Sequence, residues 1–423
     1  MSRSITALGA TLALAILPQT TLATNGYFTH GFGVRTQAVA GVGYALHQDS
    51  LATANNPAGI AGLGNRLDLG ASWFRPSRGA QITGNMAGAN GTFSGNDTRN
   101  FLIPELGYSR VLSDSLSFGL AIYGNGGMNT DYGDNPLEAF GSTGSAGVNL
   151  EQLFVTPSLS WQINEIHAVG AAVTAAYQRF EMKGAGAFDN PFFSVSPGSV
   201  TNNGTSDAKG IGFKLGWTGQ VTPSLALGAS WSSRINMDEF RRYSGLFAEG
   251  GGFDIPTTYG LGFSWQTQPG WTIAADWQHI EYGSIKSVGN PLSNLLAGNP
   301  LGSRHGGGFG WKDIDVLKLG VVHQFSDDLT LRAGVSRAEQ PIPAQETFFN
   351  ILAPGTVRNH LSLGASWATG EGQRGEWSLS YTHALKETVR GNGSIPGPFG
   401  GGEADIYLKE DILSIGYTIK LVN

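Results

Sequence analysis

The amino-acid sequence predicts an all-β protein, a 14-stranded antiparallel transmembrane β-barrel plugged by a small N-terminal helical hatch. Three observations predict this fold. From Leu67 onward, apolar and small polar residues alternate with period two. The connections between the alternating segments are short and long in turn. Residues 24–65, ahead of the first segment, do not alternate and contain helix-compatible pieces rich in Gly, Ala and Asn.

The start of the chain has the features of a secretory signal peptide. Arg3 precedes an apolar run from Ile5 to Leu17, and a small-residue cleavage site follows at 21–23. The run is too short for a membrane-spanning helix, and no later apolar run is long enough either. The expected domains are a signal peptide (1–23), a hatch (24–65) and a transmembrane barrel (66–423).

The composition narrows the class of protein. The chain has no cysteine, 63 glycines, 14% charged residues and a formal net charge of -6. The lack of cysteine excludes disulfides and thiolate metal sites, and no basic surplus indicates a nucleic-acid partner. An exported chain of this kind is either a secreted β protein or an outer-membrane barrel.

The alternation itself favours the barrel. In the last segment, Leu413, Ile415 and Tyr417 alternate with Ser414 and Gly416. One face is large and apolar, whereas the other consists of Gly, Ser, Thr and Ala with occasional charges. A soluble sandwich would carry many Lys and Glu side chains on its exposed face, so the pattern indicates a lipid-facing outside and a crowded polar lumen.

Fourteen segments alternate in this way: 66–76, 99–112, 115–125, 149–163, 166–181, 208–221, 224–240, 252–266, 270–286, 312–325, 328–341, 357–369, 374–390 and 403–420. Six short and seven long connections join them. This number places the N-terminus of the first strand and the C-terminus of the last strand on the short-turn, periplasmic side. Five tryptophans near segment ends suit an interfacial girdle: Trp73, Trp161, Trp231, Trp265 and Trp271.

The hatch is expected to fill the lumen, because a barrel of this strand number is wide enough to need filling. Asp49 or Ser50 is predicted to cap a short helix. Asn56 precedes a proline and so disfavours the helical region, while Pro57 starts a second turn ahead of Ala58. We interpret Asn56, Pro57 and Ala58 as the gating motif of the hatch. A disordered periplasmic arm and a plain linker are the alternatives.

Charged residues on the small face are expected to point into the lumen. They are Asp68, Glu105, Lys214, Asp276, Lys318 and Arg332. Because buried charge needs a partner, we predict pairing across the lumen or with the hatch. The alternatives are a water-filled porin eyelet and a substrate carboxylate bound by Arg332 or Lys318. Arg179 and Lys183 have outward parity and are predicted to contact lipopolysaccharide phosphates.

The third segment and its neighbours carry strand-weakening residues. Gly124, Asn125, Gly126 and Gly127 favour a kink or bulge, and the flanking segments contain Pro104 and Pro157, which lack a ladder donor. These residues predict a local gap in the wall that serves as a lateral exit for an oily ligand. The alternative is that the prolines only trim the ends of the strands.

The long connections are rich in apolar side chains. The candidate ligand-binding residues are Met128, Tyr132, Phe140, Phe188, Phe192, Phe193, Phe348 and Phe349. So much apolar surface in exposed loops requires an explanation. One explanation is a groove that captures the ligand, and the other is that the loops pack small cores of their own over the barrel mouth.

Four stretches in the same order resemble the FadL family of outer-membrane transporters for long-chain fatty acids. They are "SLATANNPAGIAGL" with the family's Asn-Pro-Ala hatch motif, "YGNGGMNTDYG", "LTLRAGVSRAEQPIPAQ" and "RNHLSLGASW". The resemblance implies a 14-stranded barrel, an N-terminal hatch, a kinked third strand that opens toward the bilayer, and hydrophobic substrates. Fatty acids and aromatic hydrocarbons both occur in the family, so the choice stays open.

We therefore predict a passive outer-membrane transporter for hydrophobic small molecules in a Gram-negative bacterium, with loop capture, hatch gating and lateral exit. The alternatives are a general porin for polar solutes and a loop-based adhesin or enzyme barrel. No cofactor, metal site or catalytic residue is expected, since there is no Gly-x-Ser-x-Gly elbow and the histidines are scattered. Membrane lipid and lipopolysaccharide are the expected surroundings, and a monomer is the expected state.

Overall fold

The computed structural model describes residues 25–421, and the predicted signal peptide lies outside this range. Fourteen antiparallel strands form the wall of a closed barrel. In chain order they are β1 (Arg66–Thr83), β2 (Phe101–Val111), β3 (Leu116–Tyr132), β4 (Ala146–Gln162), β5 (His167–Lys183), β6 (Ser206–Thr222), β7 (Leu225–Ser232), β8 (Thr258–Gln268), β9 (Trp271–Ile280), β10 (Ile314–Gln324), β11 (Leu329–Ala338), β12 (Asn359–Thr369), β13 (Gly375–Val389) and β14 (Glu403–Lys420). β14 pairs with β1 from Lys420 with Arg66 to Glu403 with Thr83, which closes the ring. The predicted fold class is confirmed.

Short elements complete the chain. Gly91–Ser94 pairs with β1, and Asn236–Met237 pairs with β6. The helices are α1 (Val34–Gln37), α2 (Ala52–Asn55), α3 (Ala248–Gly251), α4 (Lys286–Gly289), α5 (Ser293–Leu296) and α6 (Thr347–Asn350). Turns of 3-10 helix occur at Pro57–Ile60, Glu138–Phe140, Gly186–Phe188, Arg241–Tyr243, Tyr282–Ser284, Ala344–Glu346, Glu371–Gln373 and Gly397–Phe399. Between residues 25 and 421, no helix has the length and apolarity that crossing a membrane requires.

The two faces of the wall follow the alternation of the sequence. Along β14, Leu413 and Ile415 are exposed on the outside, whereas Ser414 is buried in the lumen. The five predicted girdle tryptophans all lie exposed on the outer face. Large apolar side chains therefore surround the barrel, and small ones leave room inside it.

Three predicted segments, 224–240, 252–266 and 270–286, extend too far toward the long loops. The last of them ends in the structure at Ile280, ahead of the turn Tyr282–Ser284. β7 ends at Ser232 because Ser233 bends the chain: its backbone nitrogen donates to Phe213 O (2.9 Å), and its Oγ accepts from Phe213 N (3.0 Å). Ile235 is then buried rather than exposed to lipid. The chain resumes the wall only at β8.

β1 and β3 are longer than the predicted segments 66–76 and 115–125. Each continues for seven residues because its neighbour provides partners: β14 pairs with β1 up to Thr83, and β4 pairs with β3 up to Tyr132. Cross-strand pairing therefore continues where the proline and glycines end the alternation in the sequence.

The hatch lies inside the ring. α1 packs against β12, β13, β14 and β1, whereas α2 packs against β3 and β4. The 3-10 turn Pro57–Ile60 lies against β4, β5 and β6. The lumen is thus filled by residues that precede the first strand.

Candidate functional site

The Asn56-Pro57-Ala58 motif fixes the hatch to the wall. Asn56 is fully buried, and its Nδ2 donates to Tyr44 O (2.7 Å) and to Trp217 O on β6 (2.9 Å). Its Oδ1 accepts from Ala58 N (3.1 Å), while Pro57 opens the 3-10 turn. One side chain therefore caps a turn, joins two parts of the hatch and holds the hatch to the barrel.

The predicted cap of the preceding helix is wrong. Leu51 occupies the N-cap position of α2, and no side chain of the described residues caps that helix. Asp49 Oδ1 instead accepts from Leu51 N (3.1 Å) in a local turn, and Ser50 Oγ donates to Asp68 Oδ2 (2.5 Å). The Ser50 hydroxyl therefore binds the Asp68 carboxylate on the barrel wall and does not cap the helix.

Glycines on the inner wall permit this close approach. A Cβ at Gly216 would lie 1.9 Å from Asn56 Oδ1, and one at Gly228 would lie 1.9 Å from Tyr44 O. Any side chain at these positions would push the hatch inward. The small lumen face is therefore shaped to the backbone of the plug.

All six charged residues predicted to face the lumen contact the hatch. Ser50 N donates to Asp68 Oδ2 (2.9 Å), and Gly33 N donates to Glu105 Oε2 (3.1 Å). Lys214 Nζ donates to the carbonyl oxygen of Ala54. Three anchors thus lie on β1, β2 and β6.

The other three anchors lie on β9, β10 and β11. Asp276 Oδ2 accepts from the backbone nitrogens of Gly43 (2.7 Å) and Tyr44 (3.1 Å). Its register partner Lys318 donates to Gly41 O (3.2 Å) and His30 O (3.3 Å). The sixth contact joins Arg332 Nε to Gln48 Oε1 (2.6 Å). These charges bind the plug from several sides.

A further ionic cluster escaped prediction. Arg35 in α1 forms an ion pair with Glu376 (3.0 Å) and donates to Thr418 Oγ1 (2.8 Å). Arg66 pairs with Asp68 (2.8 Å) nearby. Arg66 shares the parity of Asp68, so the alternation of the sequence could have placed it in the lumen. No comparable pattern indicates the position of Arg35, because the hatch does not alternate.

Two titratable hatch residues have opposite responses to pH. His47 covers Gly59, and neither ring nitrogen has a hydrogen-bond partner among the described residues. Burial lowers the pKa of His47 to about 4. Burial and the charge of Asp68 raise the pKa of Asp49 to about 6. Acid therefore disfavours docking through His47 and favours it through Asp49.

Replacing His47 with Asn should remove the acid-sensitive part of this balance. Docking holds the imidazole neutral, so its contribution is complete above its ordinary pKa of 6.5 and is lost as the pH falls. At pH 5 the loss amounts to about 2 kcal/mol. Hydrogen exchange of hatch amides at pH 5 and 7.5 checks this; equal pH dependence in the native and variant proteins would contradict it.

The wall has an opening between β2 and β3. These strands pair only from Val111 with Ser117 to Leu106 with Ile122. Above that point β3 continues to Tyr132 without β2, although it stays paired with β4. At the top, Asp97 N donates to Asp131 O (3.2 Å), so the loop before β2 closes the upper edge. We call this opening, between Leu106–Ile122 and Asp97–Asp131, the window.

Five of the six residues predicted to weaken the wall lie at the window, and Pro157 does not. A bulge falls between Gly124 and Gly126 of β3, so Asn125 is left out of the register. Pro104 lies opposite Ala71 at the other edge. Pro157 lies two strands away from that edge, where the β4–β5 register is interrupted, and does not border the window.

The N-terminal segment Asn25–Thr29 occupies the window from the lumen side. Thr29 N donates to Asn125 O (2.9 Å), and Gly127 N donates to Tyr27 O (2.9 Å). Phe28 thereby pairs with Gly126 in an antiparallel bridge. The hatch segment therefore pairs with β3 along a stretch where β2 does not.

The extracellular loops enclose an apolar cavity of about 50 Å³. Phe188, Phe348 and Phe349 line it, together with other apolar residues that include Leu137, Phe180 and Phe309. Phe140 and Phe193 pack against this group through Phe399 and Phe348. Within residues 25–421, no Lys, Arg, Asp or Glu lines the cavity, so it suits an uncharged hydrocarbon surface.

Three predicted ligand contacts lie elsewhere. Phe192 is 80% exposed on the loop surface. Met128 borders a separate small cavity beside Phe74 and Arg78. Tyr132 is buried, and its hydroxyl donates to Ile351 O (2.7 Å). These three residues lie in the same apolar stretches of sequence as the residues that line the loop cavity, so the sequence alone could not separate the two groups.

A second cavity, of about 60 Å³, lies between hatch and wall. Phe28, Phe32 and Tyr123 contribute its apolar part, and Lys214 and Lys318 contribute cations. Both ammonium groups already donate to hatch carbonyl oxygens. This cavity extends from the window toward the centre of the plug.

A closed 14-stranded barrel with an apolar outer face and a filled lumen is a plugged outer-membrane barrel. Residues 20–418 match the family described as "Outer membrane protein transport protein (OMPP1/FadL/TodX)". The chain belongs to this family, which places it in the outer membrane of a Gram-negative bacterium.

Similar proteins agree with this assignment. The long-chain fatty acid transport protein of Salmonella typhi is 23% identical over 393 residues, covering 85% of this chain and 86% of the relative. The toluene transporter TodX of P. putida superposes with a TM-score of 0.67 at 18% identity, covering 93% and 99% of the two chains. A FadL homologue of Pseudomonas aeruginosa gives 0.69 at 16% identity, with the same coverage. The two structures show the same fold.

Proposed function

We propose that this protein moves hydrophobic small molecules from the outer surface into the outer membrane, entering at the loops and leaving through the window. The observation that carries the proposal is the window itself, because the hatch segment Asn25–Thr29 takes the place of its missing strand. A plain porin needs no such opening. The ring closes without another chain, so we also propose a monomer.

Capture would take place in the loop cavity. Its lining is aromatic and aliphatic, and transfer of hydrocarbon from water into such a lining is favourable by about 25 cal/mol per Å² of apolar surface. Phe188 and Phe349 meet edge to face, with ring centroids 5.3 Å apart. A ligand that separates these rings would extend the cavity.

Continuous packing connects the capture site with the window. Trp311 Nε1 donates to Asn350 Oδ1 in α6 (2.6 Å), next to the cavity-lining Phe349. The ring of Trp311 lies 5.9 Å from that of Tyr27 in the window segment. Tyr282 also packs on Tyr27, with centroids 4.9 Å apart, and accepts from Phe28 N (3.2 Å). Movement in α6 would therefore reach the segment that fills the window.

Exit would follow when this segment leaves β3. The hatch would keep its six charged anchors while only Asn25–Thr29 moves, so the lumen would stay closed to polar solutes. Next to Leu106–Ile122, on the window side, Pro104, Gly124 and Leu153 line a small outer cavity of about 30 Å³. Its lining also includes Glu151 and Arg179, which pair with each other (3.6 Å), so the ligand would reach the bilayer along the apolar residues beside this pair.

The uncharged lining bears on the substrate. One relative is named for long-chain fatty acids and one similar structure for toluene. A carboxylate in the loop cavity would lack a cation, so the hydrocarbon part of either ligand would bind there. We propose that the loop cavity selects for hydrocarbon and not for a charged head group.

Replacing Phe349 with Ser should weaken capture. The loss of one partly buried aromatic surface should lower ligand affinity about five- to tenfold. Phe192→Ser is the matched control, because Phe192 lies outside the cavity and should bind normally. Titration of the purified protein with toluene and with oleate tests this; equal affinities in both variants would exclude the cavity as the capture site.

Closing the window should stop uptake. Cysteines replacing Pro104 and Gly124 lie on opposite edges and line the same outer cavity, and the native chain has no cysteine to interfere. Oxidation should block uptake of labelled hydrocarbon, and reduction should restore it. Cysteines replacing Leu159 and Ala171, register partners in the closed wall, provide the control. Full uptake with the window disulfide formed would disprove lateral exit.

A further inference from the structure

The outer face of the barrel carries a cluster of basic residues where β13, β14 and β1 meet. Arg75, Asp411 and His383 are register partners across these three strands. Lys409 lies on β14, two residues before Asp411, and Lys386 lies further along β13. We call these five residues the basic row.

Cations outnumber carboxylates in this row. Asp411 is the single carboxylate of the five, and it already accepts from His383 Nδ1 (2.7 Å) and from the Tyr381 hydroxyl (2.7 Å). Lys409 Nζ lies 4.0 Å from Asp411. Counting Arg75, Lys386 and Lys409 against Asp411 gives three minus one, a net charge of +2 with His383 neutral. The next outward carboxylate along β14, Asp405, accepts from Gly391 N (2.8 Å).

The basic row lies at the upper border of the lipid-facing surface. Below it, Trp73, Leu413 and Leu379 are exposed and apolar. Arg75 Cζ lies 6.0 Å from the Trp73 ring centroid, and Lys386 Nζ lies 4.3 Å from that of Tyr407. The cations are thus held beside aromatic rings on the long-loop side, at the level where lipid chains give way to head groups.

The two basic residues predicted for lipopolysaccharide contact are placed differently. Arg179 lies 3.6 Å from Glu151, and Lys183 lies 3.4 Å from Glu181. Each therefore has a carboxylate of its own. Their surroundings favour a phosphate less than the basic row does.

We propose that the basic row binds the phosphate groups of lipopolysaccharide, the phosphorylated glycolipid of the outer leaflet. Charge complementarity supports this occupant: three cations face the head-group layer with one carboxylate among them, which contacts only Lys409 of the three, and they lie directly above an apolar surface that suits acyl chains. The site lies on the outer wall at the seam of the barrel and does not depend on the transport pathway.

The test uses a triple variant, Arg75→Gln, Lys386→Gln and Lys409→Gln. Native mass spectrometry of the purified protein would measure binding of phosphorylated lipid A and of dephosphorylated lipid A with the same acyl chains. The variant should lose affinity for the phosphorylated lipid about tenfold or more, and should bind the dephosphorylated lipid as the native protein does.

The control triple variant is Arg110→Gln, Arg374→Gln and Lys420→Gln, which removes the same charge at the exposed short-turn end. It should bind both lipids normally, and hydrocarbon uptake should persist in both triple variants if they fold as barrels by circular dichroism. An equal loss in the control, or equal binding of the two lipids by the native protein, would overturn the proposal.

Discussion

Replacing Lys318 with Met should loosen the hatch strongly around its attachment to β10. Lys318 holds two hatch carbonyls and is the register partner of Asp276. Its loss leaves two buried carbonyl oxygens without a donor and the buried Asp276 carboxylate without the cation on the neighbouring strand, which should cost about 3 kcal/mol or more. Hydrogen exchange of amides in Gly41–Tyr44 should quicken by about a hundredfold or more.

The double variant distinguishes charge pairing from simple damage. Asp276→Asn removes the carboxylate, so Asp276→Asn with Lys318→Met leaves no unpaired charge. Its free-energy loss should be smaller than the sum of the single losses. Lys209→Met, on the exposed face of β6, should have no effect on the hatch. Strictly additive losses would show that the two groups do not support each other.

Replacing Gly126 with Ala should expel the segment that fills the window. A Cβ at Gly126 would lie 1.9 Å from Tyr27 O, an atom of the segment's backbone that cannot rotate away. Overpacking and the loss of two backbone hydrogen bonds should cost about 2–3 kcal/mol. The barrel itself should stay intact, because β3 keeps its pairing with β4.

Two measurements check this result. Amides of Asn25–Thr29 should lose protection from hydrogen exchange, while those of α2 should keep it. Uptake of labelled toluene should become less dependent on the loop cavity, so that Phe349→Ser has a smaller effect in the Gly126→Ala background. Gly186→Ala is the control, since a Cβ there meets nothing within 4 Å. Native protection of the segment in Gly126→Ala would contradict the prediction.

The wall could be predicted because its rule is local. Period-two alternation determines which side of the sheet each residue faces, so Asp276 and Lys318 could be placed in the lumen from parity alone. The same rule does not define their partners. Gly43 and Tyr44 offer backbone nitrogens in an irregular segment, and no sequence periodicity describes where such a backbone runs.

The window shows the same limit. The glycines at 124, 126 and 127 predict a weak strand, because each lacks a side chain that would favour the extended wall. That Phe28 pairs with Gly126 depends on two segments almost one hundred residues apart. Phe192 and Phe193 are adjacent in the sequence, yet only the second packs on Phe399; their difference arises from the fold of the loop.

The seam between β1 and β14 bears on how the protein is made. The hatch precedes β1 in the chain but lies within the ring that β14 completes, and glycines of the wall admit its backbone closer than a side chain would allow. Once the last strand has joined the first, sideways entry is closed. The curling sheet must therefore gather around its own N-terminal segment before sealing, or that segment must be threaded through an open end. The order of synthesis favours folding of the sheet around the hatch, because the hatch leaves the export machinery before the strands that surround it.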